Sequence, residues 1–255
     1  MATKSAPELD GTVTTQVANG IATITFFHPK KNSLPAPILR QLAEGVDNVA
    51  ERSDARVVIL ASEGSGTFCA GASFDELRAL KDFEQGKEFF SGFARVILAM
   101  RRCPKMIIAR VQGKAVGGGV GLVAATDYSF AMESASIRLS ELAVGLGPFV
   151  VGPVIERKLG RAAFAALAID HDWRDAEWAA KNGLYTRIMD TEAAMDSVLP
   201  AFAKRLAEVN PDALTQMKRI LWEGTSHWDT LLFERAGISG RLALSEFTAK
   251  AVGRE

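Results

Sequence analysis

Strand-like and helix-like hydrophobic patterns alternate along the chain through about residue 190. Two strand-like runs, 13–17 and 21–27, flank Asn19-Gly20, a pair that is typical of the turn in a tight β-hairpin. The run 57–61 is apolar at every position, as in a parallel strand that is buried on both faces. Helix-like segments separate these strands. The alternation predicts an α/β or α+β core with parallel strand pairing.

From Glu192 onward the hydrophobic pattern is almost wholly helical. Pro211 interrupts it, and two further helices are predicted over about 212–221 and 230–251. This change of pattern marks a boundary between a core and a C-terminal helical part. The predicted divisions are a disordered lead at 1–11, a core at 12–191 and a helical oligomerisation region at 192–255.

Two junctions between a strand and a helix carry small residues. The stretch 111–126 is rich in glycine, and Gly117–Gly119 stand where a strand-like run passes into a helix-like run. A helix that begins there offers unpaired N–H groups and a positive dipole end, which suit negative charge. The second junction is Gly71-Ala72, because Ser73 and Glu76 have the spacing of a capping box at the start of the next helix.

The glycine spacing restricts what the first junction can bind. Gly117, Gly119 and Gly121 give Gly-x-Gly-x-Gly, which misses the last spacing of the dinucleotide fingerprint. The phosphate-loop pattern also fails, since no Gly-Lys-Ser/Thr follows. Two interpretations stay open. The junctions could stabilise charge that develops on an oxygen during a reaction, or the glycines could only allow tight packing of strand and helix.

Composition narrows the class of protein further. The chain has 255 residues, 48% of them hydrophobic, which is enough for one large domain. The net charge is zero and no basic stripe appears, so no nucleic-acid partner is expected. The two cysteines, Cys69 and Cys103, are too few for a disulfide framework, and a reduced, cytoplasmic setting is expected. No apolar run reaches the roughly 18 residues of a membrane span, so no membrane partner is expected either.

Glu141 stands apart from the other acidic residues. Its neighbours Leu139, Leu142, Ala143 and Val144 are apolar, and a strand-like run precedes it. A carboxylate that is desolvated there would have a raised pKa, which suits proton transfer near neutral pH. The alternative, a glutamate at a strand end that points into water, stays open. The three histidines have no partner at metal-ligand spacing, and no metal site is expected.

Three segments, taken together and in order, resemble the enoyl-CoA hydratase/isomerase, or crotonase, superfamily. Residues 68–72, Phe-Cys-Ala-Gly-Ala, resemble its Phe-x-Ala-Gly-Ala/Gly box. Residues 111–122 resemble its glycine-rich box, and residues 140–148 resemble its Pro-Glu-x-x-x-Gly-x-x-Pro segment. The resemblance runs from about Thr12 to the C-terminal end and implies a spiral of ββα units, followed by helices that build a homotrimer or a hexamer of two trimers.

The resemblance also implies the chemistry. The substrate is an acyl-CoA thioester, and no cofactor is needed besides the coenzyme A of that substrate. The N–H groups of Ala72 and Gly118 would hold the thioester oxygen as an oxyanion hole, and Glu141 falls on one of the two acid/base glutamates of the family. The residues implied in CoA binding are Lys30, Lys31, Asn32, Ala70, Phe247 and Lys250.

One departure leaves the reaction open. The second glutamate of the family is Gly121 here. Two glutamates share the work of hydration, whereas one carboxylate can both take and return the proton in Δ3-Δ2 isomerisation. Overall likeness, including residues 222–232, favours hydration of a 2-enoyl-CoA, with a branched, methylglutaconyl-like acyl group among the candidates. Isomerisation, other enolate chemistry such as decarboxylation and a non-catalytic CoA-binding trimer are the alternatives. The lining of the acyl pocket is expected from residues 75–93.

Overall fold

The structure is a computed structural model that describes residues 11–254. Within this part the strands are β1 (Thr12–Ala18), β2 (Ile21–Phe27), β3 (Ser33–Leu34), β4 (Val57–Ser62), β5 (Gly71–Ala72), β6 (Met106–Val111), β7 (Ala115–Val116), β8 (Tyr128–Met132), β9 (Ile137–Arg138) and β10 (Arg187–Met189). The helices are α1 (Ala36–Glu51), α2 (Phe74–Ala79), α3 (Phe83–Arg102), α4 (Gly118–Ala124), α5 (Gly152–Leu159), α6 (Arg161–Asp170), α7 (Ala176–Lys181), α8 (Glu192–Ala207), α9 (Pro211–Leu221), α10 (Trp228–Ala243) and α11 (Glu246–Val252).

The larger sheet has six strands in the order β1-β2-β4-β6-β8-β10. Strands β1 and β2 form the predicted antiparallel hairpin, and every other neighbouring pair is parallel. Asn19 and Gly20 both have positive φ, at 53° and 77°, as a two-residue turn of this hand requires. The predicted parallel core is therefore confirmed, and β4 is buried at every position.

Short strands form a second layer beside this sheet. Strand β3 pairs with β5, β7 pairs with β9, and a bridge between Cys69 and Ala115 joins the two pairs. Each short strand follows a long one along the chain, and a helix follows in turn. This repetition of two strands and a helix is the predicted spiral of ββα units, so the fold class is confirmed.

The C-terminal helices differ from the prediction in one place. The single helix expected over 230–251 is wrong, because α10 ends at Ala243 and α11 begins at Glu246. Ser245 caps the new helix, and its hydroxyl accepts a hydrogen bond of 3.2 Å from the N–H of Thr248. The break turns α11 back onto α2 and onto the turn that follows Glu141.

The predicted disordered lead falls on residues 1–10, outside the described residues, and on Gly11, which is buried. Across residues 11–254, none of the helices has both the length and the apolar character that crossing a membrane demands.

Candidate active site

One cavity of ≈ 70 Å³ gathers the predicted catalytic residues. Ala70, Ala72, Gly118 and Glu141 all line it. Most of the remaining lining is apolar and comes from α2, α3 and the segment 144–151. The expected source of the lining, residues 75–93, supplies Leu77, Phe90 and Phe93. Sequence segments that are far apart in the chain therefore meet around a single apolar space.

Glycine at the start of α4 brings the backbone close to the cavity. Gly117 precedes the helix with φ of 52°, in the region that favours glycine, and a Cβ there would lie 2.9 Å from the Glu141 Oε1 atom. Gly118 is the first helical residue, so its N–H has no partner within the helix. No other described residue accepts a hydrogen bond from it. Helix α4 has only seven residues. Its contribution to binding negative charge is therefore the Gly118 N–H rather than the dipole of a long helix.

The second junction lies directly beside the first. A Cβ placed on Gly71 would be 2.8 Å from the Val116 carbonyl oxygen and 3.5 Å from the Gly118 nitrogen. Ala72, the next residue, ends β5, and α2 starts after Ser73. The adjacency of β5 and α4 explains why both segments need small residues, and it places Ala72 and Gly118 on neighbouring walls of the cavity.

The predicted capping box forms only in part. The Ser73 hydroxyl accepts from the Glu76 N–H at 3.4 Å, as expected. The carboxylate of Glu76 does not return to the Ser73 N–H but accepts from the Ala36 N–H at 2.7 Å, at the start of α1. Glu76 therefore ties α1 to α2, the helix whose Phe74 and Leu77 line the cavity.

Glu141 is the titratable group of the cavity. It stands before a 3-10 turn, Leu142–Val144, and its carbonyl accepts from the Leu146 N–H at 2.9 Å. Its Oε2 atom is buried and makes no hydrogen bond with any residue in 11–254. Burial raises the pKa of the carboxyl from 4.5 to about 7, against the opposing effect of the peptide groups of residues 140 and 141. Of the two interpretations of Glu141, the structure supports the desolvated carboxylate.

Gly121 is buried against a valine. A Cβ on Gly121 would lie 2.6 Å from Val151 Cγ1 and 2.7 Å from Val151 Cβ. Val151 itself lines the cavity. The position where the resemblance implies a second glutamate therefore has no room for any side chain unless Val151 moves.

This contact gives a stability prediction. We expect Gly121→Ala to lower the free energy of unfolding by about 1–3 kcal/mol, because the added methyl overpacks the contact with Val151. Urea unfolding followed by circular dichroism measures the change. Gly66→Ala is the matched control, since a Cβ on Gly66 meets no atom within 4 Å. Equal stability of the two variants would show that Val151 moves aside at little cost in free energy and that position 121 can hold a side chain.

The residues implied in CoA binding lie around the cavity rather than in it, apart from Ala70. The Ala70 N–H donates to the Lys31 carbonyl at 3.1 Å, so the loop after β2 borders the cavity. Lys30 forms an exposed ion pair with Asp75, next to the cavity residue Phe74.

Asn32 is 4% exposed and holds its loop. Its amide donates to the carbonyls of Glu63 and Thr67 at 3.0 Å and 2.9 Å, and its Oδ1 accepts from the His28 N–H at 3.0 Å.

The two C-terminal residues sit on α11. Phe247 is 64% exposed, and its ring covers Gly145, where a Cβ would lie 2.5 Å from Phe247 Cδ1. Lys250 is exposed one turn further along the helix. Since Gly145 closes the turn after Glu141, α11 packs over the segment that carries the carboxylate.

Sequence reasoning missed several residues of the cavity. Phe149 and Val151 lie within three residues of the end of segment 140–148, and this proximity in sequence is the signal that could have identified them as lining residues. Phe93 lies within the expected range 75–93, but its contact with Gly118, where a Cβ would lie 2.1 Å from the Phe93 ring, was not predicted. Ser239 comes from α10, far along the chain, and gave no local signal.

Fold and site together define a class of protein: a ββα spiral around an apolar cavity, in which the half-buried Glu141 has a buried Oε2 atom and the Gly118 N–H stands nearby, both without a hydrogen-bond partner among residues 11–254. The sequence model of the family described as enoyl-CoA hydratase/isomerase matches residues 16–236. The chain belongs to this family and is an enzyme of this kind. The resemblance found in the sequence is thereby confirmed.

Individual relatives are distant. A probable enoyl-CoA hydratase of Bacillus subtilis (strain 168) is 29% identical over 203 residues, 79% of this chain and 78% of that protein. The mitochondrial methylglutaconyl-CoA hydratase of Rattus norvegicus is 31% identical over 168 residues, 66% of this chain and 53% of that protein. The crystal structure of an enoyl-CoA hydratase from Bacillus halodurans superposes with a TM-score of 0.87 at 20% identity, covering 94% of this chain and 98% of the other. At this identity the structural match supports the fold alone.

Proposed function

We propose that the chain shifts the double bond of an enoyl-CoA thioester between the 3 and 2 positions, with Glu141 carrying the proton. The observation that carries this proposal is the number of carboxylates. Glu141 is the one titratable side chain among the described residues that line the cavity. Val151 fills the space beside Gly121, so a second acid/base group is missing where hydration would use one.

The proposed mechanism requires two kinds of group in the cavity, hydrogen-bond donors for the thioester oxygen and a base that carries the proton. The N–H groups of Ala72 and Gly118 donate to the thioester oxygen and stabilise the negative charge that develops there. The Glu141 carboxylate takes a proton from the carbon next to the thioester carbonyl, and the electron pair of that C–H bond enters a conjugated enolate. Glu141 then returns the proton to the fourth carbon, and the double bond stands between carbons 2 and 3. No cofactor enters, because the coenzyme A belongs to the substrate.

The pKa of Glu141 gives this proposal a pH dependence. The carboxyl must be ionised in the free enzyme to accept the first proton, and its pKa is raised to about 7. We expect kcat/KM for a 3-enoyl-CoA to rise about tenfold per pH unit below that pKa and to level off above it. Initial rates between about pH 5 and about pH 9 test this. A flat profile across neutral pH would contradict the role given to Glu141.

Hydration of a 2-enoyl-CoA is the second candidate, and the names of the relatives favour it. Hydration in this cavity would require a group other than a second glutamate to orient the attacking water. A methylglutaconyl group fits this cavity poorly, because it carries a carboxylate and no described Lys, Arg or His lines the cavity. Likeness of the sequence to the family favoured hydration. The packing of Val151 on Gly121 supports isomerisation instead, because it leaves no room for a second glutamate.

A panel of 3-enoyl-CoA and 2-enoyl-CoA substrates in deuterated water, followed by NMR, separates the candidates. Isomerisation gives a 2-enoyl-CoA, with deuterium at the fourth carbon where the proton on Glu141 exchanges with solvent. Hydration gives a 3-hydroxyacyl-CoA instead. Formation of the hydroxyacyl product without double-bond migration would overturn the primary proposal. Binding with no product at all would support the non-catalytic alternative.

We also propose that the enzyme is a homotrimer or a hexamer of two trimers. Helix α9 presents large apolar side chains to solvent, namely Met217, Ile220 and Leu221, of which Ile220 is 60% exposed. An assembly that covers α9 would bury them. Light scattering coupled to gel filtration measures the mass of the assembly, and a monomer of 27.4 kDa would contradict the proposal.

A further inference from the structure

Ser239 is the one residue of the described C-terminal helices, α8 to α11, that lines the cavity. It lies within α10 and is 1% exposed. Every other described residue that lines the cavity comes from residues 70–151. Ser239 therefore adds a polar side chain from a distant element to a space whose side-chain lining is mainly apolar.

The position of Ser239 is fixed by a close contact between two helix backbones. A Cβ on Gly86 of α3 would lie 2.9 Å from the Gly240 Cα atom of α10, so the helices meet backbone to backbone beside Ser239. Helix α10 packs along α3, and α3 in turn packs against α4. Ser239 thus approaches the cavity from the α3 side, whereas the N–H of Gly118 approaches it from α4.

The Ser239 hydroxyl is unpaired across the part of the chain that the structure describes. No hydrogen bond joins it to any residue within 11–254. Because Ser239 lines the cavity, a molecule inside the cavity, water or ligand, is what can pair its hydroxyl. A ligand oxygen in the cavity would supply the missing acceptor.

We infer that Ser239 is a specificity-determining residue that donates a hydrogen bond to an oxygen on the acyl group, away from the thioester. The inference rests on the proposed acyl-CoA function and deepens it. The oxygen is a neutral one, such as a ketone or hydroxyl oxygen, because no cation among the described residues lines the cavity to pair with a carboxylate. The volume of ≈ 70 Å³ holds about five or six water-sized groups, which fits a short acyl chain.

The test compares three saturated thioesters that bind without turnover, namely pentanoyl-CoA, 4-oxopentanoyl-CoA and glutaryl-CoA. Isothermal titration calorimetry gives their Kd values for the unmodified enzyme, for Ser239→Ala and for the control Ser65→Ala in an exposed loop. Alanine suits a helix interior, so the Ser239 variant keeps α10. We expect the unmodified enzyme to bind 4-oxopentanoyl-CoA about tenfold more tightly than pentanoyl-CoA, and glutaryl-CoA most weakly.

In Ser239→Ala the preference for the ketone should fall to about one, while the affinity for pentanoyl-CoA stays the same or rises. Ser65→Ala should keep the preference. Equal affinity for the ketone and the alkyl thioester in the unmodified enzyme, or an unchanged preference in Ser239→Ala, would overturn the inference and leave the acyl-CoA proposal standing. Failure of all three thioesters to bind would overturn the acyl-CoA proposal, and the inference with it.

Discussion

Glu141→Gln is expected to lower kcat for double-bond migration by about 10³-fold, within the range of general acid–base catalysis. Glutamine keeps the size of the side chain but cannot accept and return a proton at neutral pH. The contacts that hold the substrate stay, so KM should change little. Steady-state rates with a 3-enoyl-CoA measure kcat and KM, and exchange of the proton next to the thioester carbonyl, followed by NMR, measures the first step alone.

Glu133→Gln is the matched control, because Glu133 is exposed and does not line the cavity. It should retain full activity. If Glu141→Gln kept both exchange and migration, another group would have to carry the proton, and the proposed mechanism would be wrong. Loss of migration with retained exchange would mean that Glu141 acts only in the return of the proton.

The same substitution should change how stability depends on pH. The pKa of Glu141 is raised to about 7 in the folded state and is near 4.5 in the unfolded chain. The unfolded chain therefore ionises first, and folding stability falls as pH rises from about 4.5 to about 7. The loss is on the order of 3 kcal/mol at most. Glu141→Gln lacks this ionisation, so its advantage over the unmodified enzyme in urea unfolding should appear at neutral pH and vanish in acid.

The local parts of the fold could be predicted because the determining interactions are local. The turn at Asn19-Gly20 needs two positive φ angles that these residues tolerate, and the sequence alone indicates a hairpin. The apolar neighbours of Glu141 indicated a desolvated carboxylate but left a glutamate that points into water open, and the structure supports the first. In contrast, the break between α10 and α11 depends on Ser245, which can be read as an interior position of a helix until the packing of α11 on α2 is known.

The parts that could not be predicted are contacts between distant segments. Gly121 indicated a missing carboxylate, but only the structure reveals that Val151 fills the space. Ser239 lies 88 residues beyond Val151, the nearest other lining residue in sequence, and the contact between Gly86 and Gly240 brings it there. Such pairings depend on how helices cross, which hydrophobic periodicity does not specify. The sequence therefore indicated the candidate catalytic carboxylate, Glu141, but not the contacts around it.

A buried ion pair between Lys218 and Asp127 anchors α9 to the sheet. Lys218 is 2% exposed, and its Nζ lies 2.5 Å from Asp127 Oδ2. The same carboxylate accepts from the Ile107 N–H at 2.8 Å and from the Trp222 indole N–H at 3.2 Å. The pair thus joins α9 to the start of β6 and to the residue before β8. Exposed pairs such as Arg52–Asp54 contribute little to stability, because water solvates both charges.

We expect Lys218→Met to lower the free energy of unfolding by about 3–5 kcal/mol, because it removes the hydrogen-bonded cation of the buried Asp127 carboxylate and leaves only the more distant charges of Arg157 and Lys158. In a chain of this length that loss lowers Tm by about 6–20 °C. Thermal unfolding followed by circular dichroism measures it, with the exposed Lys204→Met as control. The double variant Lys218→Met with Asp127→Asn should recover much of the loss, since it removes the unpaired charge as well. A loss below about 1 kcal/mol in Lys218→Met would mean that water reaches Asp127 and that the apolar packing of α9, rather than the ion pair, holds the helix in place.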